Sequence, residues 1–163
     1  MHIILKNKNI YFNKYKVKCS IGKRGINKLK KEGDKVTPRG NFKLLYIMYR
    51  KDRVGKINSK LKKIIIKKNM GWCDDTKSKY YNKLIKYPFI SKSERLFKKD
   101  NTYDIIIVLD YNIRPIRKNK GSAIFLHIAR KDYKPTLGCV AVSKKDIKLI
   151  LSYINLKSRI IIH

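Results

Sequence analysis

The stretch that decides the fold reads Ala123-Ile124-Phe125-Leu126-His127 and, after eight further residues, Thr136-Leu137-Gly138-Cys139-Val140. The first part is an apolar run that ends in a histidine, and the second is a loop that enters another apolar run. Short apolar runs bounded by turn residues are typical of buried strands. We therefore predict strands over 123–128 and 138–142, placed as neighbours so that His127 and Cys139 come close together.

Cys139 and His127 are the residues that could carry covalent chemistry. An imidazolium beside a thiol lowers the thiol pKa and favours the thiolate, which is the nucleophilic form of cysteine. Gly138 would let backbone N–H groups approach a reacting carbonyl, as an oxyanion hole requires. The alternative is structural, because a cysteine at the start of a strand is commonly a buried packing residue. His2 and His163 are terminal, so His127 is the only internal candidate base.

The first third of the chain has the alternation of β-strands. Val17, Cys19 and Ile21 face one side and polar residues the other, while 42–49 is a longer run of large and β-branched side chains. Glycine-rich turns separate these runs. This part is predicted as a β-meander, whereas the basic segment 53–73 leaves helix and strand undecided.

The last third predicts further strands over 103–109 and 159–162, with a helix between them. Ser143 and Asp146 have the spacing of a capping box, and the helix is predicted from 144 to about 154. A second, short helix is predicted over 78–85. A length of 163 residues suits one domain. The whole chain is therefore predicted as a single mainly β domain, a β-sandwich or mixed sheet with one or two helices.

The charge is strongly positive, because 42 Lys and Arg face 11 Asp and Glu and leave a net charge of +31. The field could concentrate the protein on nucleic acid, anionic lipid or an anionic cell-wall polymer. Lys outnumbers Arg by 33 to 9, beside 25 Ile, 12 Asn and 11 Tyr, so composition drift explains much of the charge. The excess of Lys also argues against specific nucleic-acid recognition, which favours bidentate Arg.

No targeting or membrane-spanning segment is visible. The apolar run at 3–5 is far shorter than a signal-peptide core, and the longest apolar run, 105–109, is far shorter than a membrane span. As written, the chain is expected to begin as a cytoplasmic protein with no membrane span. The cysteines Cys19, Cys73 and Cys139 have no close pair, so neither a disulfide framework nor a zinc site is indicated. The oligomeric state stays undetermined.

The order of three motifs resembles the L,D-transpeptidase catalytic domain, also called the YkuD-like family. The motifs are the turn Thr37-Pro38-Arg39-Gly40, then His127, then Thr136-Leu137-Gly138-Cys139, and the similarity covers most of the chain. Two positions depart from the family pattern. Leu137 stands where the family has a histidine in Ser-His-Gly-Cys, and Ala141 stands where it has Asn or Arg.

This resemblance implies a mainly β fold of the L,D-transpeptidase type that joins peptidoglycan stem peptides, the donor and the acceptor. Cys139, activated by His127, would form a thioester, with the N–H groups of Gly138 and Cys139 stabilising the oxyanion. An acceptor amine would then resolve the thioester, whereas water would make the same site a carboxypeptidase. No metal, nucleotide or other cofactor is implied. The implied location is the cell envelope or periplasm, in contrast to the expectation from the N-terminus.

A local negative site is predicted because five of the eleven acids lie between Asp74 and Asp104. With the resemblance, seven residues are predicted to bind substrate: Trp72, Asp74, Asp75, Arg50, Arg53, Tyr111 and Thr136. Asp74 and Asp75 could hold an ammonium group, and the two arginines could hold carboxylates. In the equally weighted alternative, Asp74 and Asp75 only cap the predicted helix 78–85.

The competing functional hypothesis is a basic binding module without catalysis, which binds nucleic acid or an anionic polymer. His127 and Cys139 would then be structural. This hypothesis predicts duplex DNA binding that weakens steeply with salt and that Cys139→Ala leaves unchanged.

Overall fold

A computed structural model describes all residues, 1–163, and contains fourteen strands and two helices. The strands are β1 (His2–Lys6), β2 (Asn9–Phe12), β3 (Tyr15–Ser20), β4 (Ile26–Asn27), β5 (Thr37–Pro38), β6 (Gly40–Tyr49), β7 (Lys63–Ile65), β8 (Met70–Cys73), β9 (Leu84–Lys86), β10 (Ser93–Arg95), β11 (Ile105–Leu109), β12 (Phe125–Ile128), β13 (Val140–Val142) and β14 (Arg159–Ile162). The helices are α1 (Lys51–Val54) and α2 (Lys144–Tyr153). The prediction of a mainly β fold is confirmed.

Eight strands form a closed ring of hydrogen-bonded neighbours, in the order β6-β11-β12-β13-β3-β2-β1-β14 and back to β6. The long strand β6 closes the ring, because its first residues pair with β14 and its later residues pair with β11. The pairs β1–β14 and β12–β13 are parallel, and the other neighbours in the ring are antiparallel. The predicted strands around 17–21 and 42–49 correspond to β3 and β6, but the meander that was to join them is wrong, because β3 pairs with β2 and β13 while β6 pairs with β14, β11 and β7.

The main core lies on one face of these strands and includes the apolar side of α2. Ile147, Ile150 and Leu151 of this helix are buried within it, each removed from water at a gain of about 1.5 to 3 kcal/mol. Ser143 caps the helix, since its Oγ accepts the Asp146 N–H at 3.0 Å. The predicted helix and its cap are therefore confirmed.

A smaller apolar cluster lies on the opposite face of β11 and β12. Phe125 packs edge-on against Trp72, with ring centroids 5.2 Å apart, and Met48 and Ile106 belong to the same cluster. The strands β10, β8 and β9 form a separate three-stranded sheet, and Trp72 lies in its central strand. This second face carries the candidate site.

The helix predicted over 78–85 is wrong, because the chain there forms turns and then β9. Asn82 has a positive φ of 56°, which ends any helical run, and its side chain bonds Trp72 and the Asn112 carbonyl. The undecided segment 53–73 contains the end of α1, then β7 and β8. Neither helix of the protein has the length and apolar character that a membrane crossing requires.

Candidate active site

A cleft of about 280 Å³ opens beside the second apolar cluster. Its walls come from the ends of β12 and β13, from the loop before β5 and from the segments that flank the three-stranded sheet. His127 and Cys139 both line it, together with the neighbouring Thr136 and Gly138.

The parallel pairing of β12 with β13 places the two candidate catalytic side chains on one face. His127 is in register with Ala141, and Cys139 precedes that residue by two positions. Because side chains alternate across a strand, Cys139, Ala141 and His127 point to the same side of the sheet. The Phe125 N–H donates to Cys139 Sγ at 3.4 Å. The predicted adjacency of the two strands is thus confirmed.

The tautomer of His127 follows from its hydrogen bond. Its Nδ1 lies 2.9 Å from the Ile128 carbonyl oxygen, and a carbonyl only accepts, so Nδ1 carries the hydrogen. The Nε2 lone pair is therefore available as a base. The residue is only 5% exposed, and burial lowers the pKa of His127 to about 4. At neutral pH the imidazole is uncharged.

The thiol of Cys139 is also uncharged in the resting site. Burial raises the pKa of Cys139 to about 12, and the Phe125 N–H and the positive charge of Lys30 offset only part of that effect. The resting pair is a thiol beside a neutral imidazole, which differs from the thiolate and imidazolium expected from the sequence. The reason is desolvation, which disfavours both charged forms.

Alkylation of Cys139 by iodoacetamide is therefore expected to be slow at pH 7.5, about a thousandfold below a free cysteine peptide. The rate should rise about tenfold per pH unit up to pH 10, because the folded pKa lies above that range. Peptide mapping separates Cys139 from Cys19 and Cys73. A rate that levels off below pH 8 would show a preformed thiolate and contradict the neutral pair.

The loop before the nucleophile is held by two threonines. Thr37 Oγ1 donates to the Gly138 carbonyl at 2.8 Å and accepts the Gly22 N–H at 2.8 Å. Gly138 has a φ of +138°, and a Cβ there would lie 2.9 Å from the Val36 carbonyl oxygen, so glycine is required. The early turn motif and the Gly-Cys motif are thus one structural unit.

The hydrogen bonds of Thr136 determine which backbone N–H groups are free to bind an oxyanion. Its Oγ1 accepts the Gly138 N–H at 3.1 Å and donates to the Cys139 carbonyl at 2.6 Å. The Cys139 N–H has no acceptor within the protein. Of the two N–H groups expected from the sequence, only that of Cys139 is unengaged.

Thr37→Val should destabilise the protein by about 2 to 4 kcal/mol, because it leaves the Gly22 N–H and the Gly138 carbonyl without their buried partner. Urea unfolding measures the change. Thr37→Ser keeps the hydroxyl and is the matched control, expected to lose less than half as much. If Thr37→Val, which keeps the methyl group, lost no more stability than Thr37→Ser, which keeps the hydroxyl, the two hydrogen bonds of the hydroxyl would not carry the expected effect.

Three carboxylates line the cleft, and two of them are engaged. Glu32 accepts hydrogen bonds from the hydroxyl groups of Tyr81 at 2.6 Å and Ser122 at 3.0 Å. Glu94 is paired with Lys98 at 2.8 Å and also accepts a hydrogen bond from the Tyr103 hydroxyl at 3.0 Å.

The third carboxylate of the cleft belongs to Asp74. Its Oδ1 is buried without a hydrogen-bond partner, and its Oδ2 lies 3.5 Å from the exposed Lys92 ammonium. Burial raises the pKa of the Asp74 carboxyl. Part of the predicted negative site is thus present in the cleft.

Half of the predicted site residues line the cleft: Cys139, His127, Gly138, Thr136 and Asp74. The other half do not: Trp72, Asp75, Arg50, Arg53 and Tyr111. Trp72 is buried and donates to Asn82, and Asp75 holds a turn through the Lys77 N–H. Tyr111 donates its hydroxyl to the Lys120 carbonyl.

The two arginines predicted to bind carboxylates are instead structural. Arg50 is 4% exposed, pairs with Asp52 at 2.6 Å and stacks on Phe97. Arg53 pairs with Asp104 at 3.1 Å and donates to two carbonyls of the 99–100 segment. Their guanidinium groups are engaged within the fold and neither residue lines the cleft, so the structure offers no support for the prediction that they bind carboxylates.

Sequence reasoning missed Lys30, Glu32, Glu94 and Tyr103, all of which line the cleft. Lys30 is 7% exposed, and its Nζ lies 2.8 Å from Asp34. It also lies 3.3 Å from the position that a Cβ on Gly138 would take. The closeness of Lys30 and Glu32 to the Thr37 turn in the sequence was the available signal.

A thiol, a neutral imidazole base and an unengaged N–H in one cleft are the groups that a cysteine acyltransferase uses. The family comparison agrees with that class. Residues 2–162 match the model of the YkuD family, the L,D-transpeptidase catalytic domain, and the chain belongs to this family. The family acts on peptidoglycan peptides and is generally associated with the cell envelope. No curated protein matches the chain.

Proposed function

We propose that this protein is a peptidoglycan L,D-transpeptidase, a single catalytic domain over 1–163 that cross-links stem peptides through a thioester on Cys139. The observation that carries the proposal is the parallel pairing that puts Cys139 and His127 on one face of one cleft. The family match supports the same reaction class.

In the first step, His127 Nε2 takes the thiol proton as Cys139 Sγ attacks a carbonyl carbon of the donor stem. The Cys139 N–H is the available donor for the developing oxyanion. The carbon–nitrogen bond then breaks, and His127 returns the proton to the leaving amine. This coupled transfer suits a pair that is neutral at rest, because no buried ion pair has to exist before substrate arrives.

In the second step, the amine of an acceptor stem attacks the thioester carbonyl. His127 takes the amine proton, the carbon–sulfur bond breaks, and the thiol regains its hydrogen. The side-chain amine of a diamino acid is the acceptor that this chemistry suits. With water as the acceptor, the same steps give a carboxypeptidase.

The unpartnered Oδ1 of Asp74 supports an ammonium subsite at one wall of the cleft. A buried carboxylate with a raised pKa gains most from a cation, because the ion pair restores its ionised form. Asp74 is thus the best candidate to hold an amine of a stem peptide before reaction.

This function would place the protein in the cell envelope, where peptidoglycan is assembled. The positive charge of +31 would add a salt-sensitive attraction to an anionic wall. Fractionation of cells that carry an epitope-tagged protein tests this proposal, and exclusive recovery in the cytoplasm would contradict it.

The function itself is tested with purified muropeptides that end in a tetrapeptide. Liquid chromatography with mass spectrometry separates cross-linked dimers from tripeptides. Dimers support the transpeptidase, and tripeptides alone indicate the carboxypeptidase. If neither forms while duplex DNA binds in a salt-dependent way, the binding module hypothesis is favoured and the enzyme proposal fails.

A further inference from the structure

A small surface at one end of the three-stranded sheet is built from two connecting segments. Strands β9 and β10 both pair antiparallel with the central strand β8, so the segment 87–92 between them runs back along the sheet. There it meets the turns over 74–83, which connect β8 to β9. The ring of Tyr80 packs edge-on against the ring of Phe89, with centroids 5.8 Å apart. The two segments therefore form one surface.

This surface carries apolar side chains that the fold leaves uncovered. Ile90 is fully exposed, Tyr80 is 44% exposed, and Phe89 is partly exposed beside them. An open groove lined by residues 78–80 and 88–91 continues the surface. These three side chains are called the apolar tip below. Single exposed apolar side chains are common, whereas adjacent ones mark a surface that binds a partner.

The apolar tip is supported by an ordered base. The Tyr87 N–H donates to the Asn69 carbonyl at 2.8 Å, and the Tyr87 hydroxyl is hydrogen-bonded to the Ser93 hydroxyl at 2.8 Å. These bonds hold both ends of the segment that presents Ile90. Because the segment is already ordered, little conformational freedom is lost when Ile90 meets a partner.

Lysines lie next to the apolar tip. The segment 76–93 contains five lysines and no acid. All five lysines are exposed, and only Lys92 has a carboxylate within 4.0 Å, which is that of Asp74. Asp75 is the other acid beside the segment, and its side chain accepts a backbone N–H. The five are Lys77, Lys79, Lys83, Lys86 and Lys92. The surface thus combines an apolar centre with a positive border.

This combination distinguishes between the possible partners. Nucleic acid and anionic wall polymers would pair with the lysines, but they offer no hydrocarbon phase in which Ile90 could be buried. A second copy of this chain would cover Ile90, but it would bring one net charge of +31 against another. An anionic lipid bilayer suits both features, because its headgroups attract lysines and its interfacial region accepts aliphatic and aromatic side chains.

We propose that the apolar tip docks on an anionic membrane surface. Ile90 and Phe89 enter the boundary between headgroups and acyl chains, and the Tyr80 ring lies at the level of the headgroups. The five lysines contact anionic headgroups through their ammonium groups. This docking needs no step of the proposed peptidoglycan reaction. Asp74 and Lys92 also line the catalytic cleft, so docking holds the cleft close to the membrane.

Co-sedimentation of the protein with lipid vesicles at about 150 mM salt tests the docking. Vesicles of phosphatidylcholine with about one third phosphatidylglycerol should bind the protein at least about tenfold more tightly than phosphatidylcholine alone, since each lysine near an anionic surface strengthens binding about fivefold. Equal binding to the two kinds of vesicle would overturn the proposal.

The variant Ile90→Asn separates docking of the apolar tip from general attraction by the charge. It should weaken binding to the anionic vesicles about tenfold or more, because the apolar side chain no longer leaves water. Leu156→Asn is the matched control, since Leu156 is 73% exposed on the turn between α2 and β14. It should bind within twofold of the wild type. Undiminished binding by Ile90→Asn would overturn the docking.

The variant Ile90→Trp reports insertion directly. Lipids brominated on their acyl chains should quench its fluorescence, because quenching requires contact with the acyl region. Leu156→Trp is the matched control and should not be quenched. The native Trp72 is buried and gives both variants the same background. Vesicle binding without quenching at position 90 would show attraction by charge alone and overturn the proposal.

Two further measurements test the other partners. A dimer in sedimentation velocity that Ile90→Asn dissociates would assign the apolar tip to a second copy of the chain and overturn the proposal. Duplex DNA binding that Ile90→Asn weakens as much as it weakens vesicle binding would overturn it as well. None of these measurements uses muropeptide turnover, so failure of the docking and failure of the proposed transpeptidase are distinguishable.

Discussion

Cys139→Ala is expected to abolish dimer and tripeptide formation from muropeptides, with a loss of more than about 10⁴-fold, because the thiol is the only nucleophile in the proposed thioester route. The fold should persist, since Cys139 is half-buried and its Sγ makes only weak contacts with Phe125 and Ala123. The measurement is product formation over time, with circular dichroism as the check on the fold.

Cys73→Ala is the matched control for this variant. Cys73 is fully buried in β8 and does not line the cleft, so its loss removes a thiol without touching the proposed chemistry. Activity within a fewfold of the wild type is expected. Undiminished dimer formation by Cys139→Ala would end the proposal that Cys139 is the nucleophile.

His127→Asn should reduce turnover by about 10² to 10⁴-fold, the usual contribution of a general acid–base residue. An asparagine amide can take the place of Nδ1 and donate to the Ile128 carbonyl, but it offers no base in place of Nε2. The variant thus separates the proton transfer from the local structure. The rate of the first turnover should fall with the steady-state rate, because the base is needed for attack.

The control for the histidine is His2→Asn, which changes an exposed histidine far from the cleft. It should retain wild-type rates. If His127→Asn also retained them, a group other than His127 would have to remove the thiol proton, and Lys30, whose Nζ approaches Gly138, would be one candidate.

The stability of the protein should also depend on the burial of these two groups. The pKa of His127 is about 4 in the folded protein and near 6.5 when unfolded, so stability falls as the pH drops from about 6.5 to 4. The pKa of Cys139 is raised to about 12, so its contribution is lost as the pH rises above about 9. Urea unfolding across this range should show a plateau between those limits.

Local patterns in the sequence predicted much of the fold. The strands near the C-terminus and the capped helix α2 follow from apolar runs and from one Ser and Asp pair, whose effects act within a few residues. The prediction over 78–85 failed because the bonds that fix Asn82 come from Trp72 and Asn112, which are distant in sequence or on another element.

The two candidate catalytic residues could be predicted from the sequence, because the chemistry needs a cysteine and a histidine. The substrate-binding residues could not, because ion pairs in the tertiary structure determine which charged groups are free. Cys139 and His127 stand out by their motifs and come together through strand pairing. Arg50 and Arg53 pair instead with Asp52 and Asp104 and lie outside the cleft, an arrangement that only the tertiary structure reveals. Ser20 lines the cleft, but the sequence gives no signal for this position, because its place opposite Ala141 depends on the order of strands in the sheet.

The central claim is the thioester on Cys139, and intact-mass spectrometry of acid-quenched enzyme tests it most directly. Wild-type protein mixed with a tetrapeptide donor should gain the mass of the donor without its terminal amino acid, and peptide mapping should locate that mass on Cys139. His127→Asn should acquire it more slowly, and Cys139→Ala should not acquire it. Product formation with an adduct on another residue, or undiminished product formation by Cys139→Ala, would contradict the account.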